Sequence, residues 1–115
     1  MKLPGEEHAA VDIVKLHDYC LNPLHPRGRH KARLFVSALG PARADAEFLR
    51  EELLRAAREA DAAMDESDEY GERYTIDFDL SRGVRRAMVR SAWIVRRGER
   101  YPRLTSCYIL LNRGV

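Results

Sequence analysis

The chain has 115 residues, a charged fraction of 33% and a formal net charge of +2. That length holds one domain with one hydrophobic core, so the expectation is a single domain without a separate catalytic one, and the ordinary apolar content excludes global disorder. No charged-then-apolar leader and no long apolar run occurs, and Cys20 and Cys107 sit far apart inside apolar patterns, so the expectation is a cytoplasmic protein with reduced thiols and no membrane partner.

Ala9-Ala10-Val11 reads as a short extended lead-in. Asp12 is a good N-cap for a first helix whose apolar positions Ile13, Leu16 and Cys20 follow helical spacing. Asn22-Pro23 ends that helix, because proline lacks a donor and pushes its predecessor out of helical geometry. The stretch from Tyr19 to Ala32 carries two prolines and a glycine, with His25 and His30 among Arg27, Arg29 and Lys31. A stiff connection loaded with imidazoles and cations is the best candidate for a working surface.

After Gly28 a second helix places Ala32, Phe35, Val36 and Leu39 on one stripe, and Gly40-Pro41 stops it. A third helix, from about Ala44 to Ala62, buries Leu49, Leu53, Ala56 and Ala60 and puts Asp45 and Glu47 near its positive end. The acidic run Asp65 to Glu69 has no periodicity and reads as a solvated loop. Tyr74, Ile76, Phe78 and Leu80 then alternate with Thr75, Asp77 and Asp79, a strand with one buried face, and Ser81-Arg82-Gly83 turns the chain. A second strand runs from Arg86 to Arg96, with apolar residues on both faces, and a third from Arg103 to Leu111. The expected fold is therefore α+β: a helical part over 11–63 packed on an antiparallel sheet of three to four strands over 70–112, in a single domain.

Charge is distributed unevenly along this order. Residues 43–69 hold ten acids against four arginines, whereas residues 82–103 hold eight arginines against Glu99 alone. If the arginine-rich segment and residues 25–33 share a face, their field attracts RNA or an acidic protein partner. The other reading is that scattered arginines keep a small protein in solution.

Signatures of nucleotide and serine-hydrolase chemistry are absent, since no glycine-rich phosphate loop and no Gly-x-Ser-x-Gly elbow occurs. His17, Cys20, His25 and His30 match no known metal-ligand spacing, and Cys20 falls on the buried stripe, so a zinc site is discounted. A chemistry that needs neither metal nor cofactor is phosphodiester transfer in RNA. It requires a group to take the 2′-hydroxyl proton, one to protonate the leaving oxygen and a cation for the charge on phosphorus. His25, Lys31, Arg90 and Thr105 are the candidate catalytic residues, with Tyr108 as an alternative to Thr105. Alternation puts Thr105 and Tyr108 on opposite faces, and Tyr108 is in phase with Leu104 and Leu110, which favours Thr105 beside Arg90. Each has a plainer role: His25 as a brace for its loop, Lys31 as a solvated helix residue, Arg90 as the partner of Asp77 or Asp79, and Tyr19 and Trp93 as core.

The runs Lys15-Leu16, Tyr19, Leu21-Asn22, His25-Pro26, Gly28 and Lys31-Ala32, followed by Trp93 and Pro102-Arg103-Leu104, resemble the hallmark of a bacterial domain family of unknown function, K-L-x-x-Y-x-L-N-x-x-H-P-x-G-x-x-K-A. Cys20 stands where an aliphatic residue is usual. The resemblance implies kinship with domains of bacterial secreted toxins and with small proteins encoded beside a partner, as in toxin-antitoxin pairs. The order of helices and sheet also resembles the barnase, colicin and RelE-type ribonucleases, a fold-level analogy that transfers no mechanism by itself. On that analogy the chain is a metal-independent endoribonuclease, with Tyr19, Arg27 and Trp93 binding RNA and a small antitoxin-like protein as partner. The competing expectation is a non-enzymatic module whose basic face recognises an acidic partner.

Overall fold

Helix α1 starts at Ile13 because the Asp12 side chain accepts the Val14 N–H at 2.9 Å, satisfying a donor that the first turn leaves unpaired. It runs over Ile13–Lys15 and widens into a π turn over Leu16–Cys20, closed by the Leu21 N–H on the Leu16 carbonyl. Helix α2 (Arg29–Leu39) buries Ala32, Phe35 and Leu39, and helix α3 (Ala46–Glu59) buries Leu49, Leu53, Ala56 and Ala57, each a stripe at helical spacing. The computed structural model describes residues 1–22, 24–40 and 45–110. Pro23, Pro41, Ala44 and Leu111, named above, lie outside them.

Four strands follow: β1 (Ala63–Ser67), β2 (Gly71–Arg82), β3 (Arg85–Arg96) and β4 (Arg103–Ile109), hydrogen-bonded in the order β1-β2-β3-β4 with every pair antiparallel. The fold is α+β, with three helices preceding a four-stranded antiparallel sheet. The β2–β3 hairpin is longer than alternation suggested, because pairing continues to Arg82 and Arg85 and only Gly83-Val84 is left to turn. Gly83 takes φ +62°, which a two-residue hairpin loop requires and which glycine adopts without strain.

One element differs from the sequence reading. The segment taken as an acidic loop begins inside β1, which pairs with β2 from Ala63 opposite Thr75 to Ser67 opposite Glu72. All five β1 residues are exposed. A strand with neither face buried shows no alternation, and its Asp65 and Glu66 charge the free edge of the sheet, which discourages further strand pairing.

The helices cover one face of the sheet. Tyr74, Ile76, Phe78 and Leu80 from β2, Val89 and Trp93 from β3, and Leu104, Cys107 and Ile109 from β4 meet Leu16, Phe35, Leu39, Leu49 and Leu53 in one buried cluster. Along β4 the facing residues change phase. Ala92 lies opposite Ser106 but Trp93 lies opposite Leu104, so Thr105 is an extra residue in a β-bulge. The bulge lets Leu104, Cys107 and Ile109 all face the core, and it turns Tyr108 to the face that carries Arg90. No helix of the described residues is long and apolar enough to cross a membrane.

Candidate functional site

The loop between α1 and α2 is built around His25. Its Nδ1 accepts two backbone N–H bonds, from Arg27 and Gly28, each at 3.0 Å, and its ring meets Tyr19 edge to face with centroids 4.6 Å apart. Gly28, the N-cap residue of α2, has no side chain to cap it, and the imidazole instead satisfies the N–H of Gly28 and of Arg27 just before it, while the His25 carbonyl accepts from Arg29, the first residue of the helix. Gly28 is required by a second constraint, since a Cβ there would lie 2.8 Å from the Tyr19 carbonyl oxygen. His25 thus carries a lone pair committed to the backbone, and the bracing role accounts for its contacts. His25→Ala removes the acceptor of both N–H groups and is expected to lower stability by about 1–2 kcal/mol, read from urea unfolding.

Trp93 is 1% exposed and its Nε1 donates to the Ser91 hydroxyl at 2.9 Å, while that hydroxyl donates to the Ile76 carbonyl. It belongs to the core and presents no ring face to a base, which corrects its assignment to RNA binding. Arg27 is exposed, and Tyr19 is half-buried between Gly28 and His25. Thr105, at the bulge, donates to the Ala92 carbonyl at 3.1 Å. That bond completes a ladder interrupted by the bulge, so Thr105 serves the sheet. The expectation that Thr105 rather than Tyr108 would accompany Arg90 is reversed, because strict alternation does not hold across the extra residue.

The structure does bring Lys31, Arg90 and Tyr108 together. Arg90 and Tyr108 are cross-strand partners on β3 and β4, and Lys31, on the first turn of α2, sets its Nζ 4.7 Å from the centroid of the Tyr108 ring. Such a contact favours the ammonium over the negative face of the ring. On its other side Arg90 bonds Asp77 through both Nε and Nη2, at 2.8 and 2.9 Å. The guanidinium is held above its ordinary value, by Asp77 first and by Tyr108 to a lesser degree, and Asp77 is held below the usual carboxylate range by Arg90. Asp77, Arg90, Tyr108 and Lys31 therefore form a polar line from β2 across β3 to the edge strand β4. All but Asp77, which is exposed, are half-buried. Sequence reasoning found Lys31 and Arg90 but held their companion, Tyr108, only as the alternative to Thr105.

Most of the arginine-rich segment is matched within the molecule. Arg82 pairs with Asp45, Arg86 with Asp79 and Arg103 with Glu99, and Arg97 donates to Ser67 and the Asp68 carbonyl. The Arg82–Asp45 ion pair joins the acidic and basic segments, whereas Arg86, Arg90 and Arg103 pair with Asp79, Asp77 and Glu99, acids outside residues 43–69. Asp68 is held below the carboxylate range by Arg73, and Glu99 by Arg103. For Asp77, Asp68 and Glu99 the folded pKa lies below the unfolded one, so each adds stability that is complete above the unfolded value, about 4, and is lost as pH falls through the folded value. Thermal unfolding between neutrality and strong acid should show a Tm nearly flat down to about pH 5 and falling below it.

Cys20 and Cys107, each 1% exposed, are free thiols that hydrogen-bond one another in the core beneath this line. The bond to Cys20 and burial push the Cys107 thiol well above its ordinary value, which keeps it protonated. Among the described residues no three His, Cys, Asp or Glu side chains form a group able to hold a metal ion.

The chain matches none of the curated proteins or solved structures with which it was compared. One family model covers nearly its whole length, residues 2–111, spanning α1, the His25 loop, α2, α3 and all four strands. The chain therefore belongs to the family described as the domain of unknown function DUF6883.

Proposed function

We propose that the chain is a metal-independent endoribonuclease whose reacting site is the Lys31, Arg90 and Tyr108 corner. The observation that carries the proposal is the placement of the Lys31 ammonium over the Tyr108 ring while Arg90 lies across from the same tyrosine. RNA supplies its own nucleophile, the 2′-hydroxyl, so the protein need only hold the phosphodiester and manage charge and protons. In that step the 2′-oxygen bonds to phosphorus and the 5′-oxygen leaves, giving a 2′,3′-cyclic phosphate and a free 5′-hydroxyl. Arg90 and the Tyr108 hydroxyl donate to the non-bridging oxygens, Lys31 gives its proton to the leaving 5′-oxygen, and the proton of the 2′-hydroxyl passes to water, from which Lys31 is reprotonated. Asp77 positions Arg90 and is too firmly ion-paired to serve as the base.

The resemblance to bacterial toxin domains supports the wider reading that this is the toxin of a two-protein pair, acting on RNA in the cytoplasm. Its partner would be a small protein that covers the corner. Incubating the purified chain with total bacterial RNA in EDTA tests the proposal. Discrete fragments ending in cyclic phosphate from the parent, and none from a folded Lys31→Ala variant, are expected. Intact RNA with a folded, partner-free parent would overturn it and leave a binding module.

A further inference from the structure

A second polar feature lies at the other end of the β3–β4 pair, away from Tyr108. The lead-in to α1 is fastened beside β4, where the Ala10 N–H donates to the Pro102 carbonyl and the Leu104 N–H to the Ala10 carbonyl. Between this segment and the strand ends is a groove of about 310 Å³ lined by Val11, Asp12, Lys15, Arg96, Arg103 and Leu104, with Ala10 at its margin. Its walls are fixed: Arg50 donates to the Val11 carbonyl, and the Asp12 carboxylate is tied to the first turn of α1.

The charges in the groove point to one ligand class. Arg103 spends its Nε and Nη2 on the two oxygens of Glu99, so that pair cancels. Arg96 senses Glu99 only through space, and among the described residues neither Lys15 nor Arg96 has a hydrogen-bond or ion-pair partner. Lys15 and Arg96 against Asp12 leave one unmatched positive charge. A phosphodiester carries one negative charge, whereas a phosphomonoester carries about −1.5 to −2 at neutral pH. A planar guanidinium from the end of β3 and an ammonium from α1, lining one groove, suit the two free oxygens of a diester.

We propose that this groove binds a backbone phosphodiester of the nucleic-acid strand whose scissile bond lies at the Lys31 corner, a subsite that rests on the ribonuclease reading above. The spacing is consistent with one strand touching both places. Arg103 and Tyr108 are five residues apart on β4, but the bulge at Thr105 sets them opposite Ile94 and Arg90, four residues apart on β3, about 14 Å at the rise of an antiparallel strand, or roughly four nucleotides of stacked strand at 3.4 Å each. The groove therefore acts on binding and not on the bond being broken. Its loss should raise KM for a long RNA and leave kcat unchanged.

The test uses a fluorescein-labelled single-stranded DNA, which carries the same phosphates but lacks the 2′-hydroxyl and so survives the experiment. Anisotropy at low salt is measured for the folded parent and for Arg96→Ala, Lys15→Ala and Arg58→Ala, the last an exposed α3 residue outside the groove. Arg96→Ala and Lys15→Ala are each expected to weaken binding about tenfold and to flatten the dependence of log K on log salt by about 0.7, with Arg58→Ala unchanged. In cleavage assays Arg96→Ala should raise KM alone. If all three variants bind equally while the parent still cleaves RNA, the groove proposal is overturned and the ribonuclease reading stands. If the parent neither binds the strand nor cleaves RNA, both fall.

Discussion

Trp93→Ala is expected to cost about 3–5 kcal/mol of stability, a large share of the roughly 5–15 kcal/mol that holds a domain folded. The residue sits at the centre of the sheet, opposite Tyr74 on β2 and Leu104 on β4, at 1% exposure. Truncation opens a cavity where the helices press on the sheet and cannot fully collapse, because the neighbours are anchored by β ladders on both sides. It also removes the donor to the Ser91 hydroxyl, itself fully buried. Trp93→Phe separates the two effects, since it keeps most of the ring volume and loses only the Nε1 bond, with an expected cost of about 1–2 kcal/mol beyond the smaller packing loss. Urea unfolding followed by far-ultraviolet circular dichroism reads both variants. A Trp93→Ala chain within about 1 kcal/mol of the parent would contradict the placement of this ring in the core.

The elements visible in the sequence are those whose residues answer to burial. Asp12 before Ile13, the Phe35 and Leu39 stripe, the Leu49 and Leu53 stripe and the alternation from Tyr74 to Leu80 occur where a pattern of one buried face puts them, although Val36, placed on the second helix's stripe, is exposed and Ala60, placed on the third's, is half-buried. Strand β1 was illegible for the same reason: its pairing is made by the backbone, and its exposed side chains leave no periodic trace. The Thr105 bulge was invisible because one extra residue changes register without changing composition, and it decided which hydroxyl stands beside Arg90. His25 drew attention as a titratable group in a stiff loop, yet what the fold takes from it is an acceptor at Nδ1 for two backbone donors. The site was half legible. Lys31 and Arg90 stood out as cations, Arg90 with Asp77 already a candidate partner, but only three-dimensional register could choose Tyr108 over Thr105.

Lys31→Ala and Tyr108→Phe are each expected to lower kcat/KM for RNA cleavage by about 10²–10³, the range found when a positioned proton donor or charge stabiliser is removed. Stability should change little. Lys31 gives up one cation–π contact, worth about 0.5–1 kcal/mol at a partly exposed site, and Tyr108→Phe keeps the ring that receives it. The double variant decides whether the two act together. If the ammonium and the hydroxyl serve one transition state, the combined loss falls short of the product of the single losses, because the second substitution removes a group whose partner is already gone. Independent roles in substrate binding would instead multiply, and would appear in KM. Arg90→Ala is a poorer probe, since it also strands the Asp77 carboxylate that it holds through two bonds. An effect of that variant therefore mixes catalysis with an uncompensated charge on the sheet. Lys31 leaves no such charge behind, and so its substitution is the cleaner measure of whether this corner of the sheet breaks RNA.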